Sequence, residues 1–173
     1  MNPVSWRKVK SWTCVGCGMC CKDYHVVLNF AEWISILKNF GEGAIGRAPG
    51  KLLLGKRNNG VCCFLNQLGN TPSCGLQHVK PLACKIWPFK VFDEPKFGDE
   101  RQALYVYRDR KFYVYVDPAC TGLLLGKPTT DFKFKFLPEF IDVALGLRQN
   151  QYHSTSKTRM QPFHQPFRGR TVI

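Results

Sequence analysis

The sequence predicts a small α+β fold, with two short helices and two β-hairpins set in irregular chain and followed by an extended, basic C-terminal tail. Three observations point there. Apolar residues recur at helical spacing only near residues 30–40 and 136–147. Runs of β-branched and aromatic residues are short and come in pairs around turn residues. Finally, the chain of 173 residues holds nine cysteines, four of them between residues 14 and 21, which suggests an irregular centre stapled by something other than a large apolar core. This length suits one domain with tails. We place a basic N-terminal arm at 1–11, a cysteine-bearing domain at 12–148 and a basic tail at 149–173.

The first helix is expected at about 30–40. Asn29 can cap it, and Glu32 stands where a capping box is closed. Phe30, Trp33, Ile34 and Leu37 repeat at helical spacing, and Gly41 is a natural stop. After a glycine-rich stretch, Leu52-Leu53-Leu54, Asn58-Asn59-Gly60 and Val61–Leu65 read as a hairpin around an Asn-Gly turn. Ala103–Tyr107 and Phe112–Val116, joined by Arg108–Lys111, read as the second hairpin. Its aromatics suit a half-buried sheet, and a base-stacking platform is the lesser alternative. The second helix is expected over Phe136–Leu147, with Pro138 near its start and Phe140, Ile141, Ala144 and Leu145 on one side. From about 149 the chain turns polar and repeats Gln-Pro-Phe at 161–163 and 165–167. This segment has too little apolar content for a core of its own.

Charge is uneven. Lysine and arginine total 25 against 12 acids, a formal net charge of +13. Residues 1–22 carry Arg7, Lys8, Lys10 and Lys22 with no acid, and after Asp142 come Arg148, Lys157, Arg159, Arg168 and Arg170, again with none. Two basic ends around a balanced centre suit a polyanion, so RNA, a ribonucleoprotein or a protein complex is the expected partner. A charge that merely keeps the chain apart from its neighbours is the plainer alternative.

The cysteines are read first by spacing. In Cys14-x-x-Cys17-x-x-Cys20-Cys21, each two-residue gap lets a tight turn aim two sulfurs at one point, as knuckles for zinc or iron–sulfur clusters do. A disulfide framework would need a secreted context. Residues 1–8 lack the apolar run of a signal peptide, and no stretch approaches a membrane span, so a cytoplasmic protein is expected. Cys62, Cys74, Cys84 and Cys120 lie far apart in the chain, and Cys63, on a predicted strand beside Cys62, is read as core. His25 and His78 are the lesser metal candidates, while His153 and His164 are read as solvated.

On these residues the chain resembles the CxxCxxCC cysteine-cluster (YkgJ-like) family, described as zinc- or iron-chelating. The resemblance runs over about residues 12–126. It rests on the first quartet, on Cys62-Cys63-Phe64-Leu65, on Cys74-Gly75-Leu76-Gln77 through Lys80-Pro81 and Cys84, on Trp87-Pro88, and on Cys120-Thr121-Gly122. Leu76-Gln77 replace the usual Ile-Tyr, Lys80 replaces an Arg, and Thr121 replaces a Pro. The resemblance implies eight ligand cysteines: Cys14, Cys17, Cys20, Cys21, Cys62, Cys74, Cys84 and Cys120. Trp87-Pro88-Phe89 is expected to pack over the metal and keep water off it. Eight would serve two four-ligand sites, or one cluster with residues to spare.

Zinc sites commonly pair two knuckles, and only one is visible here, whereas Cys14-x-x-Cys17-x-x-Cys20 is close to the run that wraps a cubane. Iron–sulfur, one or two [4Fe-4S] clusters, is therefore favoured, with zinc as the alternative. No Gly-x-Gly-x-x-Gly loop or Gly-x-Ser-x-Gly elbow is present. The reading is a non-enzymatic binding module. The alternative is a cluster-dependent enzyme or subunit, in a redox system or in protein modification, because longer relatives carry the domain in flagellin lysine N-methylases.

Overall fold

The computed structural model describes residues 2–68, 71–76, 79–149 and Tyr152. His78, His153, His164 and almost all of the expected tail lie outside these residues. The order along the chain is β1 (Val4–Ser5), β2 (Val9–Trp12), α1 (Met19–Lys22), β3 (Val27–Leu28), α2 (Phe30–Phe40), β4 (Ile45–Ala48), β5 (Lys51–Leu54), β6 (Leu65–Leu68) and β7 (Thr71–Cys74). There follow α3 (Leu82–Ile86), β8 (Phe89–Phe92), α4 (Glu100–Ala103), β9 (Leu104–Tyr107), β10 (Arg110–Val116), β11 (Leu123–Leu125) and α5 (Leu137–Ala144). The fold is small α+β, as expected, but among the described residues it has five helices rather than two, and its strands form antiparallel sheets beyond two hairpins.

The larger sheet is organised by β10. Tyr113 pairs with both Phe92 and Leu104, and Tyr115 pairs with both Lys90 and Ser5. A residue with two partners holds them on opposite edges, so β8 lies along one edge and β9 and β1 follow each other along the other. The β9–β10 hairpin forms as expected, on a tighter turn. Arg108 and Asp109 both have positive φ, the conformation that matches the twist of a two-residue hairpin. Phe112, Val114 and Val116 point into a core with Trp6, Trp12, Phe89 and the apolar side of α5. Phe89 stacks on Phe140 at 4.1 Å, and the Trp12 ring meets both edge-on. Tyr105, Phe112 and Tyr115 are buried, and the Tyr105 hydroxyl donates to the Lys133 carbonyl at 2.7 Å. These rings therefore cannot serve as a base-stacking platform.

A second core lies under α2. Asn29 and Glu32 form the expected capping box, and Gly41 ends the helix. Trp33 and Ile36 face Leu28, Ala44, Leu54 and Leu76, over the sheet β3–β5–β4. The expected hairpin of Leu52–Leu54 with Val61–Leu65 is replaced by two others. β5 pairs with β4 and β3, while β6 pairs with β7. Only the bridge between Lys56 and Cys62, closed by the Asn58-Asn59-Gly60 turn, survives of it. Pairing went to the neighbours that bury the apolar side of β5 beneath α2.

The N-terminal segment is built into the fold rather than hanging as an arm. Trp6, Val9 and Trp12 are buried in the first core, and β2 pairs with β11. Arg7, Lys8 and Lys10 point outward from it.

Candidate metal centre

The cysteines fall into two groups, each set against one core. The first is made where β2 and β11 cross. Thr13 N–H donates to the Gly122 carbonyl at 3.0 Å, which lays Cys14 beside Cys120. This crossing needs a glycine. A Cβ on Gly122 would stand 2.0 Å from the Thr13 carbonyl oxygen, so any side chain would force the strands apart. Cys120 is buried, and the Trp12 indole N–H donates to its sulfur at 3.3 Å. Burial pushes the Cys120 thiol up, the indole pulls it down, and Cys14 and Cys17 act on it through their charge. Tyr24 stands nearby. Its hydroxyl donates to Asp117 at 3.2 Å, and burial together with the Asp117 charge pushes it up to about 12. Lys90 lies 3.9 Å from the other Asp117 oxygen.

The second group gathers Cys20, Cys21, Cys62, Cys74 and Cys84. Gly18, at φ +71°, turns the chain immediately after Cys17 and starts α1, which carries Cys20 and Cys21 to the other side. Cys62 is buried in the second core, with Cys21, Cys74 and Cys84 against it. Cys62 N–H donates to the Cys21 carbonyl at 2.8 Å. Cys84 is placed by α3, whose first N–H, from Leu82, donates to Glu32 at 2.7 Å. The glutamate that closes the capping box of α2 thus also anchors α3.

The second group is a chain of interacting thiols. Hydrogen bonds from Cys21 and then Cys63 hold Cys62 down at about 3 against the opposing effect of burial. Cys20 is held at about 7, chiefly by its hydrogen bond with Cys21, with Lys80 nearby. Cys21 is pushed up by both bonds and by burial. It has one proton, so it can serve only one of these neighbours at a time. Burial pushes Cys74 and Cys84 up, and Lys80 draws both the other way. Cys63 is pushed up, first by its bond to Cys62.

Sequence reasoning missed several of these features. Cys63 is half-buried in a turn, with its thiol on Cys62, rather than on a strand facing away from it. Lys80 was visible only as a departure from a family Arg, and it is the cation nearest in effect to three of the thiols. The partnership of Trp12 with Cys120 left no local signal. His25 is exposed. Trp87 packs beside the first core and against Tyr24, at 4.0 Å between rings.

Soft thiol donors grouped against apolar cores fit a thiolate-bound metal group by their chemistry. Among the described residues, no three Cys, His, Asp or Glu side chains converge closely enough to hold a single metal ion. A mononuclear site would need the thiols to swing inward.

The model of the CxxCxxCC family, "Putative zinc- or iron-chelating domain", matches residues 13–121. No curated protein and no solved structure gives a significant match.

Proposed function

The chain belongs to the CxxCxxCC family, and from that premise we propose that it is an iron–sulfur module, non-enzymatic, that docks on RNA through basic surface. The observation that supports the metal half is the gathering of cysteines against two cores, Cys14 and Cys120 at one and Cys21, Cys62, Cys74 and Cys84 at the other. Cys14, Cys17, Cys20, Cys21, Cys62, Cys74, Cys84 and Cys120 would be the ligands. When bound, such a group ties together segments that are distant in sequence and adds its binding energy to that of the fold.

The docking half is supported by charge on ordered surface. Arg7, Lys8 and Lys10 project from the folded N-terminal segment, and Lys8 pairs with Asp99. The chain from 126 to 135 runs beside them, since Gly126 and Thr129 donate to the carbonyls of Lys8 and Lys10. Lys133 and the exposed Phe134 then share a surface groove with Trp6 and Arg7. Cations beside the exposed Phe134 ring suit a single strand, phosphates on the cations and a base on the ring.

Binding of single-stranded RNA measured against salt tests this reading. Affinity should fall with salt at a slope of about −0.7 per phosphate contact, with several contacts in total. Removing residues 149–173, or introducing Arg7→Glu with Lys133→Glu, should lower the slope while leaving the metal content unchanged. Absence of RNA binding at low salt would overturn the docking half and turn attention to a protein partner or to a protein-modifying role.

A further inference from the structure

We infer that the groove beside β9 is a one-nucleotide subsite of the RNA surface, where a single unpaired base stacks on Phe134 and pairs by its edge with the main chain of Val106. The inference rests on the RNA reading of that surface and deepens it. The free edge follows from the hairpin. Tyr107 and Arg110 face each other across the two-residue turn Arg108-Asp109, so they exchange ladder bonds, as do Tyr105 and Phe112 two residues further on. The main-chain groups of Leu104 and Val106 therefore point away from β10. Those of Leu104 are taken: its N–H donates to the Glu100 carbonyl, and its carbonyl accepts from the Trp6 indole at 3.2 Å. Those of Val106 have no partner among the described residues, and its side chain is exposed.

The groove supplies what the rest of a nucleotide needs. It measures about 330 Å³, the small end of ligand sites, which suits one base and sugar rather than a run of them. Along with Val106 it is lined by Trp6, Arg7, Lys133 and Phe134, with no acid among its lining residues. Lys133 and Phe134 lie in a π-helical turn, Phe132–Phe136, which the Tyr105 hydroxyl ties to β9 through the Lys133 carbonyl. Phe134 is 61 % exposed, so its ring is open to stacking. The Lys133 ammonium lies 4.7 Å from the centre of that ring and the Arg7 guanidinium 4.9 Å from that of Trp6, so cations for the phosphate stand beside the stacking face. The Val106 pair decides between partners. An added peptide strand needs alternate residues of an edge, and here Leu104 is used while Arg108 lies in the turn at φ +49°. One donor beside one acceptor is too short an edge for a strand, but it matches the acceptor and donor that adenine presents side by side.

The test uses the full chain with a short oligo-adenylate RNA at low salt, and reads hydrogen exchange at single amides. In the free chain the Val106 amide should exchange fast, while those of Tyr105 and Tyr107, already in the ladder, should not. RNA should slow Val106 severalfold and leave the other two unchanged, and abasic nucleotides in place of the adenines should abolish that protection. Val106→Pro removes the N–H but no ladder bond, a change that an edge strand tolerates. It should weaken binding about fivefold, the loss of one hydrogen bond, with the salt slope unchanged because the phosphate contacts remain. Val106→Thr, which keeps the N–H, should bind as the parent does. Exchange on the unaltered chain decides the matter even if the proline variant fails to fold. RNA bound while the Val106 amide still exchanges fast would overturn the inference and leave the RNA reading standing. Protection of Val106 by an acidic peptide and not by RNA would overturn it in favour of a protein partner. No RNA binding at low salt would overturn both.

Discussion

Gly122 is the residue on which the first thiol group turns. Its φ is ordinary; what it supplies is the missing Cβ, which would fall 2.0 Å from the Thr13 oxygen and 3.0 Å from the Thr13 carbonyl carbon. Both are backbone atoms and cannot rotate away. Gly122→Ala must therefore open the β2–β11 crossing, lengthen the bond from Thr13 N–H and unseat Cys120 from beneath the Trp12 indole. Overpacking of this kind costs about 1–3 kcal/mol, enough to lower the melting temperature by several degrees in a chain of this size. Thermal melts of Gly122→Ala beside Thr121→Ala, an exposed neighbour, measure it, together with the alkylation rate of Cys120. A Gly122→Ala protein that melts with its parent and keeps Cys120 protected would show that the crossing does not hold the group. The sequence held a hint of this in Cys120-Thr121-Gly122, but a glycine next to a cysteine does not reveal which backbone comes close to it.

Among the elements, α2 was the most legible, because capping is local chemistry. Asn29 accepts from Glu32 N–H at 2.8 Å and Glu32 accepts from Asn29 N–H at 3.0 Å. The second use of Glu32, on the first N–H of α3, was not legible, since it joins residues fifty apart. Glu32→Ala removes both acceptors and should cost about 1–2 kcal/mol. It should also loosen α3 and with it Cys84, so the metal of the second group should be lost faster to a chelator. Glu32→Gln, which keeps one acceptor oxygen, should fall between the two. Equal chelator rates in all three proteins would separate the cap from the metal.

The same division between local and distant explains the other elements. The β9–β10 hairpin was readable because its strands are adjacent in sequence. β5 was assigned the wrong partner because a sheet chooses the pairing that buries its apolar side, and that depends on where α2 lies. The N-terminal segment looked like an arm because Arg7, Lys8 and Lys10 dominate its composition. Its apolar signal, Trp6, Val9 and Trp12 three residues apart, was present but short. The division of the cysteine motif was hidden for a related reason. Spacing predicts that neighbouring sulfurs converge, and only the turn at Gly18 sends them apart.

At the scale of the whole molecule, two cores of unequal size share one chain and two sets of thiols. Among the described residues, the core around β10 and α5 buries thirteen, many of them aromatic, with Cys120 the one cysteine. The core under α2 buries seven, with Cys62 among them and three further cysteines packed against it. An aromatic ring buries far more apolar surface than a thiol, so the first core draws most of its stability from burial. The second, with four cysteines in or against it, depends more on whatever ties those cysteines together. Removing the metal should therefore unfold the molecule unevenly. Backbone amides of α2, β4 and β5 should lose protection from hydrogen exchange first, while those of β10 and β8 stay protected, as expected of units with different local stability. Exchange measured by mass spectrometry on metal-loaded and metal-stripped protein gives the comparison. Equal loss of protection in both cores would mean that they fold as one unit and that the metal stabilises the whole. Unchanged protection in both would mean that the thiols stabilise neither, and that the metal, where bound, is held for its chemistry or its transport rather than for the fold.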